Sequence, residues 1–192
     1  MLKFALIIGS TRIGRFADKA AEWIVAGAQA RSDFALDVLD LREHALPMFN
    51  ERTMPTYGGG SDPEPLGEAW RALLSGYDGF IATAAEYNHG PTAVLKNALD
   101  SGYRGWRRKP IAFVGYGGVG AARAIEHLRG IAIELQMAPV KQEVSITRDV
   151  FVPVRQQGKT LDDFPHLAQA RTATFDDLVW WGKALKAARD AG

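Results

Sequence analysis

The chain has 192 residues, of which 47% are hydrophobic and 23% charged. That is an ordinary globular composition, long enough for one well-buried core, and it argues against disorder. A formal net charge of +1 gives no electrostatic case for nucleic acid or a polyanionic surface. The absence of cysteine excludes disulfides, thiolate zinc sites and cysteine nucleophiles, and it fits a cytoplasmic protein.

Residues 3–9 (KFALIIG) form a short apolar run closed by Gly9, which reads as a buried strand rather than a signal segment. No stretch approaches the length of a membrane span. From Phe16 to Ala30 apolar residues return at helical spacing (Ala20, Trp23, Ile24, Gly27), and 34–41 alternates as a second strand. Residues 42–65, with four prolines and the glycines 58–60, read as loop, with Tyr57 and those glycines as a rim over a pocket or as plain surface. Helix is expected over 66–77, led by Pro65, and strand over 78–85. Pro91 opens a helix over 92–103, and 110–116 is a fourth strand. A long amphipathic helix covers 120–137 and a fifth strand 139–146. Residues 147–165 read as an irregular arm. A last helix from Pro165 is expected to bury Phe175, Leu178, Trp181 and Leu185 on one face.

Five βα alternations predict a single α/β domain over 1–192: a flavodoxin-like five-stranded parallel sheet in order 2-1-3-4-5, with helices on both faces. In that order the loops after strands 1, 3 and 4 share one edge, where ligands bind. The first, 9-GSTRIGRF-16, has the G-x-x-x-x-G spacing of a phosphate loop but lacks the following Lys and Ser/Thr, so a Walker NTPase is disfavoured. It carries two hydroxyls (Ser10, Thr11) and two arginines (Arg12, Arg15) ahead of a helix N-terminus, a setting for a phosphomonoester. The second loop brings Glu86, Tyr87 and Asn88; Tyr87 suits an aromatic ligand face, and Asn88 suits either a heterocycle edge or a helix cap. His89 reads as pocket-facing or as a partly exposed loop residue. The third loop contains Gly115, Gly117 and Gly120, a G-x-G-x-x-G. It follows the fourth strand, and no acidic residue stands at the tip of the next strand, so a nicotinamide-binding Rossmann crevice is disfavoured.

Together, GSTRIGRF, EYNHGPTAVLKNALD and YGGVGAAR resemble the NADPH-dependent FMN reductase family, a flavodoxin-like group that includes quinone, azo-dye and chromate reductases. The resemblance runs from about Lys3 to Ile146. It implies that Ser10, Arg12, Arg15 and Phe16 hold the phosphate and ribityl end of FMN. Glu86, Tyr87 and Asn88, with His89 beside them, then lie along the isoalloxazine ring, and Tyr116, Gly117 and Gly118 lie at its other edge. Lys96, Asn97 and Asp100 are implied to be structural or dimer-related. Ala85 stands where the family often has proline, and Arg15 where some members carry a second serine.

The resemblance also implies a hydride relay from NADPH or NADH, through FMN, to a quinone-like, azo or other small acceptor. No catalytic side chain and no metal is required. It further implies a homodimer or dimer of dimers; the helices at 91–103 and 120–137 are candidate contacts, with Trp106 contributing. The basic run 104–108 is either a solvated turn or a contact for the NADPH 2′-phosphate. An FMN electron carrier and a flavin-based redox-sensing interaction protein are the alternatives.

Overall fold

In the computed structural model, which describes residues 1–52 and 64–192, strand β1 (Leu2–Ile8) is central, with only Lys3 exposed. Side chains alternate across a strand. Leu2, Phe4, Leu6 and Ile8 therefore enter one core, and Ala5 and Ile7 the other. Helix α1 (Ala17–Gln29) covers the first core, burying Ala20, Trp23 and Ile24 as their spacing predicts. Strand β2 (Phe34–Asp40) pairs parallel with β1 along its whole length, ending with Ile8 opposite Asp40.

Helix α2 (Pro65–Ser75) is capped by Glu64, whose carboxylate accepts from the Gly67 N–H at 2.6 Å, with Pro65 in the first turn. Strands β3 (Gly79–Ala85) and β4 (Pro110–Tyr116) are buried at every position. That is why both read as largely apolar runs. Helices α3 (Ala93–Trp106) and α4 (Ala122–Glu134) pack with α2 on the second core. The sheet order is β2-β1-β3-β4-β5, all neighbours parallel, as the sequence predicts. Tyr57 and the glycines 58–60 lie outside the described residues.

Two expectations are corrected. The fifth strand is broken: β5 (Ala138–Pro139) pairs with Pro110–Ile111, and β6 (Val144–Ile146) pairs with Val114–Tyr116. Between them Arg129 draws the chain off the ladder, donating to the carbonyls of Val140 (2.6 Å) and Lys141 (3.1 Å) and to Glu143 (2.8 Å). The arm over 147–165 is also not irregular. It contains helix α5 (Arg148–Gln156) and a 3-10 turn at Leu161–Asp163. Val150 and Val154, four residues apart, anchor α5 in the first core. Trp23 Nε1 donates to Asp162 at 2.7 Å and fastens the far end of the arm to α1.

The last helix, α6 (Pro165–Asp190), buries Phe175 and Leu178, but Trp181 is 39% exposed and Leu185 only half-buried. Val179 and Gly182 take their place. Gly182 lies so close to Leu2 and Phe4 that a Cβ would sit 3.0 Å from each. Among the described residues no helix is long and apolar enough to cross a membrane.

Candidate functional site

The loops after β1, β3 and β4 meet at one edge of the sheet. Gly9 N–H donates to Thr83 Oγ1 (3.0 Å), and Thr92 Oγ1 donates to the Gly9 carbonyl (2.5 Å). Thr92 also accepts from Leu95 N–H (3.2 Å), so it caps α3 while holding the first loop in place. Asn88 is not the cap. Asn88 and His89 form a tight turn, both with positive φ (53° and 68°), closed by reciprocal backbone bonds between Tyr87 and Gly90.

The three loops enclose a cavity of about 270 Å³, lined on one side by Arg12, Gly14 and Phe16 and on the others by Glu86–Tyr87 and Tyr116–Gly118. Its floor is aromatic. In β4 the alternation that sends Ala112 and Val114 toward α1 sends Tyr116 the same way. Tyr116 meets the Phe16 ring at 5.4 Å, and Phe16 meets Phe151 of α5 at 4.7 Å. Burial pushes the Tyr116 phenol up, so it is neutral at physiological pH. Ser10 is buried beneath, with its hydroxyl 3.1 Å from that of Tyr87.

The charges divide into spent and free. Arg15 is buried and forks onto Asp40, at 2.7 Å to Oδ1 and closer to Oδ2, while its Nε donates to Asp18 at 2.7 Å. It also donates to the Ser10 carbonyl at 2.6 Å. Arg42 approaches Asp18 at 4.0 Å and donates to the Arg12 carbonyl. Arg15, Arg42, Asp18 and Asp40 thus form a neutral set that shapes the loop, and the sequence expectation that the Arg15 charge serves a phosphate does not match this geometry. Arg12 is exposed, lies 5.7 Å above the Tyr87 ring, and has no carboxylate within ion-pair distance among the described residues. The N–H groups of Thr11, Ile13 and Gly14 likewise find no acceptor there.

Glu86 faces the cavity but is committed to Arg123. Its carboxylate accepts from the Arg123 backbone N–H (3.1 Å) and Nε (2.6 Å). Burial alone pushes this carboxyl up; the bonds and charge of Arg123 outweigh that and hold it below the usual range. Arg123 also meets His89 Nε2 at 2.8 Å, which requires that nitrogen to be unprotonated.

The glycine pattern has a steric cause. A Cβ at Gly115 would overlap the Gly120 carbonyl, and one at Gly120 would overlap Ser145 Oγ. Gly117 and Gly120 have φ of 132° and 63°, where side chains are disfavoured. Gly118 alone has ordinary φ and open space, and it faces the cavity.

Of the residues singled out from sequence, Arg12, Arg15, Phe16, Glu86, Tyr87, Tyr116, Gly117 and Gly118 line one cavity. Ser10 supports it from below. Thr11, Asn88 and His89 are exposed and do not line it. Phe151 and Arg155 line it and were missed; the signal was Val150 and Val154 at helical spacing after Thr147. The run 104–108 lies before β4, at the opposite edge of the sheet, which removes it as a contact for a nicotinamide phosphate bound at this cavity. Trp106 is fully buried, against Phe80 at 4.6 Å, so it is a core residue and no interface contact. Lys96 pairs with Asp100 on α3, and Asn97 clasps the loop after β2 by donating to the Pro47 carbonyl and accepting from Phe49 N–H, both at 2.8 Å.

This sheet order, with an electropositive loop, an aromatic floor and a glycine wall at the carboxyl edge, defines a flavodoxin-like nucleotide-binding protein. The model of the NADPH-dependent FMN reductase family matches residues 2–150, and the chain belongs to that family. It is 32% identical over 152 residues to an NAD(P)H-dependent FMN reductase of Schizosaccharomyces pombe, covering 78% of this chain and 76% of that one. It is 33% identical over 156 residues to a 2-hydroxy-1,4-benzoquinone reductase of a Burkholderia species, covering 77% and 80%. Among solved structures, a flavoenzyme NAD(P)H:(acceptor) oxidoreductase from Paracoccus denitrificans superposes with a TM-score of 0.72 at 19% identity, covering 96% of this chain and 98% of that one, which shows the shared fold.

The protein is therefore an oxidoreductase that uses FMN, with NAD(P)H as reductant. The cavity has the chemistry that cofactor needs: among the described residues, N–H groups and a guanidinium without a partner, with aromatic rings beside them and a wall at Gly118 with no side chain to fill the space.

Proposed function

We propose that this cavity is the FMN site of an enzyme that takes reducing equivalents from NAD(P)H and delivers them to a quinone-like acceptor. The observation that carries the reading is the convergence of Arg12, Phe16, Tyr87, Tyr116 and Gly117–Gly118 from three separate loops on one cavity. Bound FMN supplies the hydride chemistry, and the protein supplies position and electrostatics.

Arg12 and the N–H groups of Thr11, Ile13 and Gly14 would hold the phosphate by charge-assisted bonds. Phe16, Phe151 and Tyr116 exclude water from one side. Tyr87 and the Gly117–Gly118 backbone orient a flat ring, because neither glycine has a side chain to hold it off. Glu86 is held ionised by Arg123 and Tyr116 is held neutral by burial, so neither exchanges protons near pH 7. No catalytic acid or base is assigned among the lining residues.

NAD(P)H and then the acceptor occupy the open mouth in turn, a ping-pong order. A quinone-like acceptor is supported by the benzoquinone reductase among the relatives. A homodimer, which the resemblance implies, is part of the same reading. The absence of cysteine accords with a cytoplasmic location.

The test is optical. The purified protein with FMN should lose its flavin absorbance on anaerobic addition of NAD(P)H and regain it with a benzoquinone. Flavin that binds but stays oxidised would leave the carrier or sensor alternatives. Sedimentation velocity checks the dimer.

A further inference from the structure

The cavity has a second free cation, and it lies outside the loops that define the family. Arg155 projects from α5 into the same cavity as Arg12. It is exposed, and among the described residues no carboxylate lies within ion-pair distance. It sits 5.7 Å over the Phe151 ring, which rests at 4.7 Å on Phe16, the last residue of the first loop. A stack of Arg155, Phe151 and Phe16 thus leads from α5 to the phosphate loop. The helix below it is fixed: Val150 and Val154 are buried, and Asp162 is bonded to Trp23 beyond it. The family match ends at residue 150, before Arg155.

Charge balance explains why the site needs it. A phosphomonoester carries roughly −2 at neutral pH. Arg15 and Arg42 are offset by Asp18 and Asp40, and Glu86 is offset by Arg123. Among the lining residues, Arg12 and Arg155 are the guanidiniums left over. Two such cations at one cavity match one dianion.

We propose that Arg155 is a phosphate-reading residue which, with Arg12, clamps the FMN 5′-phosphate and makes the site discriminate FMN from riboflavin. This rests on the FMN reading of the cavity. Arg155 closes the site from α5 while Arg12 closes it from the first loop, so the ligand ties the arm over 147–164 to the family core.

The experiment titrates FMN and riboflavin separately into the full chain freed of flavin, following quenching of flavin fluorescence. Arg155→Ala should weaken FMN by roughly tenfold to a hundredfold, the scale of a lost charge-assisted contact, and leave riboflavin unchanged. Arg155→Lys should recover part of the loss. Arg148→Ala, on the same helix but outside the cavity lining, should behave as the parent chain. An Arg155→Ala protein that binds FMN as tightly as the parent overturns the proposal alone. So does an equal loss of FMN and riboflavin, which would mark a merely structural role. A parent chain that binds no FMN overturns the reading of the cavity and this proposal with it.

Discussion

Glu86 accepts hydrogen bonds from both the backbone N–H and the guanidinium of Arg123, so the loop after β3 is fastened to the first turn of the helix after β4. Two walls of the cavity are thereby fixed to each other. Since Glu86 is held below the usual carboxylate range, its contribution to stability is complete above its unfolded pKa and is lost as pH falls through the lower, folded value. Glu86→Gln is expected to reduce stability by about 1 kcal/mol at pH 7 and to flatten part of the acid limb. Urea unfolding at pH 3–7 measures both; an unchanged acid limb would contradict the assignment.

Arg15 and Arg12 are expected to separate fold from function. Asp40→Asn leaves the buried Arg15 charge short of its main partner and should cost about 3 kcal/mol of unfolding free energy. Arg12→Ala should leave stability within about 0.5 kcal/mol while weakening FMN roughly tenfold or more. Parallel denaturant melts and FMN titrations on the two variants decide the matter, and equal effects on both quantities would defeat it.

Gly115 and Gly118 should divide in the same way. Gly115→Ala drives a methyl into the Gly120 carbonyl and is expected to cost about 2 kcal/mol or more. Gly118→Ala meets nothing and has no backbone penalty, so its melting temperature should match the parent. Its methyl projects into the cavity proposed for FMN, and FMN affinity should drop. The ranking of the two variants reverses between the stability and binding assays.

Lys109 offers a test far from the site. Its ammonium is buried and donates to the carbonyls of Leu74 (2.8 Å) and Ser75 (3.3 Å) at the end of α2. Burial, helped by the nearby Arg189 charge, lowers its pKa to about 8. Between that value and about 10.4 the unfolded chain binds more protons than the native one, so this group makes stability rise with pH across that interval. Lys109→Met should remove the rise, as seen in melts from pH 8 to 10.5. A parent profile already flat there would refute the depressed value.

The legible parts of the fold were those fixed by burial on both faces. Strands β1, β3 and β4 announce themselves as short runs in which Lys3 and Thr83 are the polar exceptions, one exposed and the other hydrogen-bonded to Gly9. Helix α5 was obscured by Pro153 in its middle and by having only Val150 and Val154 to bury. At the break in the outer strand the freed carbonyls are taken up by Arg129, a residue of the preceding helix, and the sequence of the strand itself does not report that partner. The site was read to the level of loops and less well to the level of charges. Arg12 and Arg15 look equivalent in sequence; what distinguishes them is Asp40, brought alongside by the pairing of β1 with β2. Arg155 stayed hidden with its helix.

The turn over 115–120 is crowded from two directions. Its outer glycines touch each other: the chain folds back on its own strand, and neither position has room for a β-carbon. Gly115 is held to glycine by that fold-back, and Gly120 by Ser145 of the neighbouring strand β6 together with its own positive φ. In this chain the G-x-G-x-x-G spelling thus records how sharply the backbone bends and how closely β6 packs against it.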